Sequence, residues 1–339
     1  MKILVTGGAG FIGSWVAQDL TADSNNKILI MDDLSGGSLE NILPFRTKVL
    51  FEQLDIRKYG ETAFSISKFQ PDVLVHLAAN AREGASWFQP ASVVSRNTTG
   101  FANVLSACIN YGVKKVVLFS SMSVYGNQQP PFHEKDELKP VDIYGLQKAS
   151  MEQMLAMLAD IHDFDYVIIR PHNVFGIRQS LRDKFRNVIG IWMNRIMRNE
   201  PLIIFGDGLQ KRAFSYIDNS RPVYQKLISE DVPRGLIVNV GGLTPITIIQ
   251  LRDIVLEAMG QKSDYPTEFV QARPSEVHQA YCSHLIALDY GYSEPTTLEE
   301  DIGKMAEWAL AKGPQEWVNS DELEISTRAK LPEPWNEIK

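Results

Sequence analysis

The sequence is poor in the features that mark secreted, metal-binding and membrane-spanning proteins. It has 2 cysteines among 339 residues, and Cys108 and Cys282 match no metal-ligand spacing. We therefore expect buried structural thiols, no bound metal and a reducing cytoplasm rather than a disulfide framework. No apolar run reaches membrane-spanning length, and the opening MKILVTGG predicts a strand rather than a cleavable signal.

Blocks of like charge and low-complexity tracts are also missing. The chain has 34 Lys and Arg against 41 Asp and Glu, which gives a formal net charge of -7. Because nucleic acids and anionic membranes select a basic surface, both are excluded as expected partners. A hydrophobic fraction of 44% and a charged fraction of 22% are typical of a globular protein.

What the sequence does contain is an alternation of short apolar runs and helical patterns. Runs rich in Val, Ile and Leu predict strands buried on both faces of a parallel sheet: KILVT, KILIMD, KVLFEQLD, DVLVHLA, KKVVLFS and DYVIIR. Helix-period segments such as FIGSWVAQDL lie between them. The fold class is therefore α/β, with a doubly wound parallel sheet of the Rossmann type.

The alternation weakens after Gly176, where a smaller C-terminal α/β lobe is expected to begin. We assign a Rossmann domain to residues 1–177, with a returning segment near 212–242, and the second lobe to residues 178–339. RQSLRDKFRNVIGIWMNRIMRN is predicted to form one helical segment, basic first and apolar afterwards.

Two further helices are predicted in the second lobe. Thr297 and Glu300 have the spacing of a capping box, and Gly260 and Gly313 fit helix C-terminal stops. The tail from Ser320, which contains Pro332 and Pro334, is expected to be a surface coil.

A glycine-rich stretch, ILVTGGAGFIGS, places Gly7, Gly10 and Gly13 between the first strand and the first helix. Glycines in this context let the backbone approach a pyrophosphate at the helix N-terminus. The second strand ends in Asp32, where a carboxylate can accept hydrogen bonds from a ribose diol. Asp33 follows, and both acids would repel a 2′-phosphate, which favours NAD over NADP.

A second pattern, DIYGLQKAS, places Tyr144 and Lys148 on one face of a predicted helix. A nearby ammonium favours the phenolate and is expected to lower the pKa of Tyr144, which makes the tyrosine a general base or acid. The fifth strand ends at Ser120 and Ser121, at the sheet edge where ligands of this fold class bind. We expect hydroxyl, phenol and lysine to converge there.

These motifs together resemble the extended short-chain dehydrogenase/reductases, in particular the NAD-dependent epimerase/dehydratase group that acts on nucleotide sugars. The resemblance spans almost the whole chain in family order, through TGGAGFIGS, MDDLSGG, LDIR, HLAA, SSMSVYG, YGLQK, RPHNVFG, IIFGDGLQKRAFSYID, VNVGG and RPSEV. It implies Ser121, Tyr144 and Lys148 as catalytic residues, NAD as cofactor and a nucleotide diphosphate sugar as substrate. The implied cofactor-side residues are Gly7, Gly10, Phe11, Ile12, Gly13, Asp32, Asp33, Asp55, Ile56, Leu77, Ala78, Ala79, Asn97, Tyr144, Lys148 and Pro171.

The resemblance also implies a set of substrate-side residues. These are Ser121, Ser123, Tyr144, Asn173, Asn187, Val188, Phe205, Arg212, Arg273 and Glu276. Arginines suit the charge and geometry of a sugar diphosphate, and cations are indeed concentrated at Arg178, Arg182, Lys184, Arg186, Lys211 and Arg212. His76 and His172 adjoin apolar strand ends, and we interpret both as structural histidines.

Within the family, the residues after Ser121 indicate which reaction is favoured. Dehydratases carry an Asp-Glu pair where this sequence has Met122 and Ser123, and neither side chain exchanges a proton at neutral pH. The 3,5-epimerases use a cysteine in the same neighbourhood, which neither cysteine occupies. The pattern favours a 4-epimerase that acts through a transient 4-keto sugar. The alternatives are another nucleotide-sugar-modifying member of the family, namely a decarboxylase, a 3,5-epimerase or a dehydratase, and a non-catalytic NAD-binding regulator.

Two departures from the family pattern concern the sugar. Ala280 stands where epimerases restricted to plain hexoses tend to carry a bulky residue, so a 2-acetamido sugar is expected to fit. Arg82 and Glu83, in NAREGASWFQP, differ from the common pattern of a loop that faces the sugar in relatives.

The family resemblance also implies a homodimer. Helices near residues 91–111 and 144–162 would form a bundle with those of a second subunit. Met151, Met154 and Met157 lie at helical spacing and are expected to be core or subunit-contact residues.

Overall fold

A computed structural model describes residues 1–273, 275–318 and 323–325. A parallel sheet of seven strands dominates it, in the spatial order β11-β6-β5-β4-β1-β2-β3. The strands are β1 (Lys2–Thr6), β2 (Lys27–Asp32), β3 (Leu50–Gln53), β4 (Val73–His76), β5 (Lys115–Phe119), β6 (Asp165–Pro171) and β11 (Leu236–Val240). The carboxyl ends of β1 and β4 lie side by side, as Thr6 pairs with His76, so the loops that follow them meet at one edge.

Successive residues of each strand contribute side chains alternately to two hydrophobic cores, one on each face of the sheet. Ile3 and Val5 belong to one core, and Leu4 belongs to the other. The first face is covered by α1 (Phe11–Leu20) and α7 (Ile217–Ser229), which pack against each other. The second is covered by α2 (Tyr59–Phe69), α4 (Gly100–Asn110) and α5 (Ile143–His162), and α3 (Pro90–Val94) packs against α5. Burial of apolar residues on both faces is the pattern expected of a doubly wound sheet.

A second set of elements is built on short strands beside the carboxyl edge of the large sheet. Three small sheets pair β9 with β12 and β14, β8 with β13, and β7 with β10. Their bounds are β7 (Val174–Phe175), β8 (Leu202–Phe205), β9 (Lys211–Ala213), β10 (Ser215–Tyr216), β12 (Pro245–Thr247), β13 (Thr267–Val270) and β14 (Gln279–Ala280). The helices here are α6 (Val188–Met197), α8 (Ile248–Ala258), α9 (Leu285–Asp289) and α10 (Leu298–Lys312). The division at residue 177 stays a prediction, although β11 does return the chain to the large sheet.

Most of the predicted elements are present. All six apolar runs form strands, and the capping box of Thr297 and Glu300 is confirmed at the start of α10. Gly260 and Gly313 have positive φ angles of 67° and 75° directly after helical segments, as expected of C-terminal stops. Between α3 and α4 the helix widens to a π turn over Ser95–Thr99, which the apolar pattern did not predict.

Two expectations were wrong. The predicted helix that included residues 178–187 begins only at Val188, because Asn187 caps the first turn and the Asp183 carboxylate accepts the Phe185 N–H in an irregular loop. β3 was expected to be buried on both faces, yet it is a sheet edge where Leu50 is 59% exposed.

None of the helices in the described part of the chain is long and apolar enough to cross a membrane. The predicted surface coil from Ser320, with Pro332 and Pro334, lies outside the described residues except for positions 323–325.

Candidate active site

A first cavity follows the carboxyl edge of the large sheet, where the glycine-rich loop joins β1 to α1. Gly7 has a φ of +72°, and a Cβ there would lie 2.6 Å from the backbone nitrogen of Ala78. A Cβ on Gly13 would lie 2.2 Å from the carbonyl oxygen of Gly7. The loop can therefore fold tightly only with glycine at these positions, and it opens onto the N-terminus of α1, where N–H groups favour an anion.

The predicted cofactor-side residues are brought together around this cavity, with one exception. Those that line it are Gly7, Gly10, Phe11, Ile12, Gly13, Asp32, Asp33, Asp55, Ile56, Leu77, Ala78, Ala79, Tyr144, Lys148 and Pro171. Asn97 is fully buried behind the lining, where its Oδ1 accepts the Asn80 N–H at 2.7 Å and its Nδ2 donates to the Asn80 carbonyl. It thus supports Asn80, which does line the cavity.

Asp32 ends β2 beside the glycine loop. Its carboxylate accepts the N–H groups of Ala9 at 2.9 Å and Leu34 at 2.8 Å, which hold it at the cavity wall. Burial raises the pKa of this carboxyl, while the two backbone hydrogen bonds lower it. A carboxylate fixed in this position suits an unsubstituted ribose diol.

A second, larger cavity lies between the same sheet edge and the small sheets. All the predicted substrate-side residues line it: Ser121, Ser123, Tyr144, Asn173, Asn187, Val188, Phe205, Arg212, Arg273 and Glu276. They come from segments far apart in sequence. The carboxyl edge of the sheet and the loops of the smaller elements form its two walls.

One end of this second cavity is a cluster of arginines around a single carboxylate. Glu276 accepts hydrogen bonds from Arg273 at 2.6 and 2.7 Å and from Arg212 at 3.1 Å. Burial raises the pKa of Glu276, but the two arginines outweigh it and hold the pKa below its usual value. The Arg273 guanidinium lies 5.3 Å from the centre of the Phe205 ring. Two guanidiniums that share one carboxylate keep a net positive charge, which suits a diphosphate.

Two asparagines hold the chain at the wall of the same cavity. Asn173 has a positive φ of 40° and donates through Nδ2 to the Ala213 carbonyl at 3.0 Å. Asn187 caps α6 by accepting the Ile189 N–H at 3.1 Å.

The two cavities meet at Tyr144 and Ser121, which line both of them. Ser121 begins a turn after β5, and its Oγ lies 3.0 Å from the Oγ of Ser123. Met122 also lines the second cavity. A thioether and a hydroxyl therefore reach the cavity from the two positions where dehydratases carry acids.

The electrostatics of Tyr144 differ from the expectation. Burial raises the pKa of Tyr144, and a hydrogen bond with Ser121 and the charge of Arg186 oppose that rise. Lys148 does not bring the pKa down because its Nζ donates to the Phe119 carbonyl at 2.7 Å and lies 5.8 Å from the centre of the Tyr144 ring. Burial lowers the pKa of Lys148 itself to about 8, so the ammonium is the main form at neutral pH.

Two carboxyl groups lie beside Tyr144; the sequence reasoning noted the first, Glu83, only as a departure in a loop, and it missed the second, Asp142. Glu83, from the loop after β4, and Asp142, the N-cap of α5, both line the second cavity. Burial raises the pKa of Asp142, and the negative charge of Glu83 raises it further. The position of Asp142, two residues before Tyr144, was the available signal, but an aspartate there is also an ordinary helix cap.

The cluster of cations predicted near the diphosphate divides into two groups. Lys184, Arg186 and Arg212 line the second cavity, whereas Arg178, Arg182 and Lys211 do not. Arg178 lies over the Trp15 ring at 3.8 Å, and Arg182 is exposed and donates to the Glu316 carbonyl.

The two histidines line neither cavity. His76 and His172 are fully buried, and burial lowers the pKa of each to about 3. A neutral structural role is the interpretation that this supports.

Comparison with known proteins identifies the family that the motifs resemble. Residues 3–241 match the model of the NAD dependent epimerase/dehydratase family. A putative UDP-glucose 4-epimerase of Methanocaldococcus jannaschii is 30% identical over 308 residues, which cover 90% of this chain and 97% of the relative. A UDP-glucuronate 4-epimerase of Thermodesulfobacterium geofontis is 29% identical over 318 residues, 90% of this chain and 95% of the relative.

Solved structures are similar over the same extent. The UDP-glucose 4-epimerase of Thermotoga maritima with UDP-glucose is 30% identical, with a TM-score of 0.84, and the match covers 92% of this chain and 99% of that one. The UDP-N-acetylglucosamine 4-epimerase of Methanobrevibacter ruminantium, in complex with UDP-N-acetylmuramic acid, is 29% identical with a TM-score of 0.82, over 92% and 98% of the two chains. The neighbours share a fold and differ in the sugar.

Proposed function

The chain belongs to the NAD-dependent epimerase/dehydratase family, and we propose that it is a nucleotide-sugar 4-epimerase of the UDP-glucose/UDP-galactose type. The observation that carries this proposal is the position of Tyr144 and Ser121, which line the dinucleotide cavity and the substrate cavity at once. A sugar carbon held at this junction would face both the cofactor and a proton acceptor.

The cofactor is NAD. The residues around the first cavity fit it, since the loop packs so closely on its own backbone and on Ala78 that a Cβ on Gly7 or Gly13 would push it out of place, and Asp32 suits a free ribose diol. When bound there, NAD would supply reversible hydride transfer at C4 of the sugar. The chain itself has to hold the sugar and move one proton.

Tyr144 is the group that moves the proton in this proposal. Its phenol oxygen would take the proton of the 4-hydroxyl and return it after inversion, with Ser121 hydrogen-bonded to the same hydroxyl. Because burial raises the pKa of Tyr144, the phenolate depends on positive charge and hydrogen bonds nearby. Ser121 and Arg186 supply these within the chain.

The sugar end of the substrate cavity favours a neutral sugar. Glu83 lies there with Tyr144, and a uronate carboxylate would meet its like charge. Ala280 also lines this cavity and is 5% exposed. The small side chain leaves room for a 2-acetamido group, so we include UDP-N-acetylglucosamine among the proposed substrates.

One specific observation favours a second candidate, a nucleotide-sugar 4,6-dehydratase. Elimination of water needs a carboxyl acid and a base near the sugar. Met122 and Ser123 cannot serve, but Asp142 and Glu83 reach the cavity from other elements. The Asp142 carboxylate already caps α5, where it accepts the Gly145 N–H at 2.7 Å. For this reason we rank dehydration second.

The test is an assay of a nucleotide-sugar panel by proton NMR with no cofactor added. We expect the purified protein to carry NAD and to interconvert C4 epimers, with Tyr144→Phe slower by roughly 10²–10⁴-fold and exposed Tyr111→Phe unchanged. A new C6 methyl signal would identify a dehydratase, loss of C6 as carbon dioxide a decarboxylase, and inversion at C3 and C5 a 3,5-epimerase. Stoichiometric NAD consumption would indicate a dehydrogenase, and NAD binding without turnover a regulator.

We further propose that the protein is a homodimer and acts in the reducing cytoplasm, where its free thiols would persist. Met151 is buried, whereas Met157 and Ile161 on α5 are 70% and 77% exposed and Leu146 is 50% exposed. This apolar face suits a bundle with a second α5. Sedimentation should give twice the chain mass, and Met157→Glu should shift it toward the monomer; a monomeric wild type would refute the dimer.

A further inference from the structure

Three loops converge above the dinucleotide cavity, and their contact depends on one carboxylate. Asp183, in the loop before α6, accepts hydrogen bonds through Oδ2 from Arg82 at 3.0 Å and from Arg186 at 3.2 Å. Arg82 belongs to the loop after β4 and lines the dinucleotide cavity. The side chains of Arg82 and Asp183 are each 7% exposed, so this ion pair is largely withdrawn from water.

The third loop is reached by Arg186. A Cβ built on Gly36, in the loop after β2, would lie 2.7 Å from Nη2 of Arg186. The guanidinium thus extends from the substrate-side elements to the far wall of the dinucleotide cavity. Arg186 lines both cavities, and its charge offsets part of the rise that burial causes in the pKa of both Asp32 and Tyr144.

This position has a chemical consequence for a dinucleotide. A guanidinium that faces a pyrophosphate or ribose forms strong, directional hydrogen bonds. Asp183 keeps Arg186 extended, and Arg82 holds Asp183 from the other side. If Asp183 were neutral, two arginines would face each other across a buried space without a counter-charge.

We propose that Arg186 is a cofactor-binding clasp, which closes the dinucleotide cavity over bound NAD, and that Asp183 and Arg82 are the positioning residues that keep it closed. The clasp slows dissociation of the cofactor, which has to stay bound between the two halves of a reaction that removes and returns hydride. Arg186 also lines the substrate cavity, but its hold on the cofactor can be measured without any sugar present.

The test measures exchange of bound NAD in the holoenzyme. Protein purified with its NAD is mixed with excess isotopically labelled NAD, and the replaced fraction is followed over time by mass spectrometry. We expect Arg186→Gln to exchange roughly tenfold faster or more, as for loss of a hydrogen bond to a charged group, and Asp183→Asn to lie between it and wild type. The matched control is Arg182→Gln in the same loop, whose exposed side chain lines neither cavity.

The Arg182→Gln control and Arg186→Gln should exchange bound NAD at different rates even if the protein catalyses another sugar reaction, because the measurement needs no turnover. Equal exchange rates for wild type, Arg182→Gln and Arg186→Gln would overturn the clasp. If Asp183→Asn fails to fold, Arg186→Lys replaces it: the lysine keeps the charge and loses the planar fork, so we expect faster exchange with an unchanged pH profile of turnover. Wild-type exchange in Arg186→Lys would also contradict the proposal.

Discussion

The two cavities that meet at Tyr144 are formed by different kinds of chemical group. The dinucleotide cavity relies on backbone and glycine, with Gly7 and Gly13 packed within a few ångströms of other backbone atoms. The substrate cavity relies on long charged side chains, among them Arg212 and Arg273 around Glu276.

The difference explains how a family can keep one cofactor and change its sugar. A backbone-built site has no side chain to exchange, so almost any substitution damages it. A side-chain-built site can be altered one residue at a time while the fold stays intact. Arg186 belongs to both cavities.

The largest effect should come from placing a methyl group in the backbone-built cavity. In Gly13→Ala the Cβ would lie 2.2 Å from the Gly7 carbonyl oxygen, so the loop must shift, and we expect roughly 100-fold weaker NAD binding. Isothermal titration with NAD measures this. Gly303→Ala, where a Cβ meets nothing within 4 Å, is the control; full NAD content in Gly13→Ala would refute the argument.

A smaller effect is expected from the charged end of the substrate cavity. Arg212→Met removes one of the two guanidiniums that share Glu276, and KM should rise roughly 10-fold or more, with kcat nearly unchanged because the diphosphate does not react. Steady-state kinetics separate the two constants. Lys211→Met removes an adjacent exposed cation outside the cavity, and a similar rise in both variants would mean that net charge alone is responsible.

The smallest effect should be a change of preference between sugars. Ala280→Tyr fills space beside the sugar, and we expect turnover of UDP-N-acetylglucosamine to fall about 10-fold relative to UDP-glucose. Competition between the two substrates gives this ratio directly. Ala272→Tyr, on an exposed residue outside the cavity, should leave the ratio unchanged, and an unchanged ratio in Ala280→Tyr would exclude the pocket from sugar selection.

The sequence was most informative where structure depends on local patterns. Apolar runs predicted the strands, and the spacing of Gly7, Gly10 and Gly13 predicted the loop after β1, since turn geometry and burial are properties of short segments. The same reasoning failed for residues 178–187. Their helical pattern is overridden by contacts of Asp183 with Arg82, a residue distant in sequence.

The site was predicted residue by residue only where a family motif exists. Glu83 and Asp142 carry no such motif, and their proximity to Tyr144 depends on how loops from different strands converge. The pKa of Tyr144 was predicted in the wrong direction for a related reason. Spacing within α5 indicated that Lys148 is a neighbour, but it could not reveal that the lysine is directed to the Phe119 carbonyl.

The place of β11 at the edge of the sheet affects how this protein could be recombined with its relatives. The chain forms six strands of the large sheet, then β7 to β10 with α6, and returns through α7 and β11 to complete the sheet before it leaves again. A chimera that exchanged only the substrate-binding half therefore could not be made with one crossover. It would need two inserted pieces, one on each side of β11, because a single crossover before β7 would also replace α7 and β11 and would pair β6 with a strand of the relative.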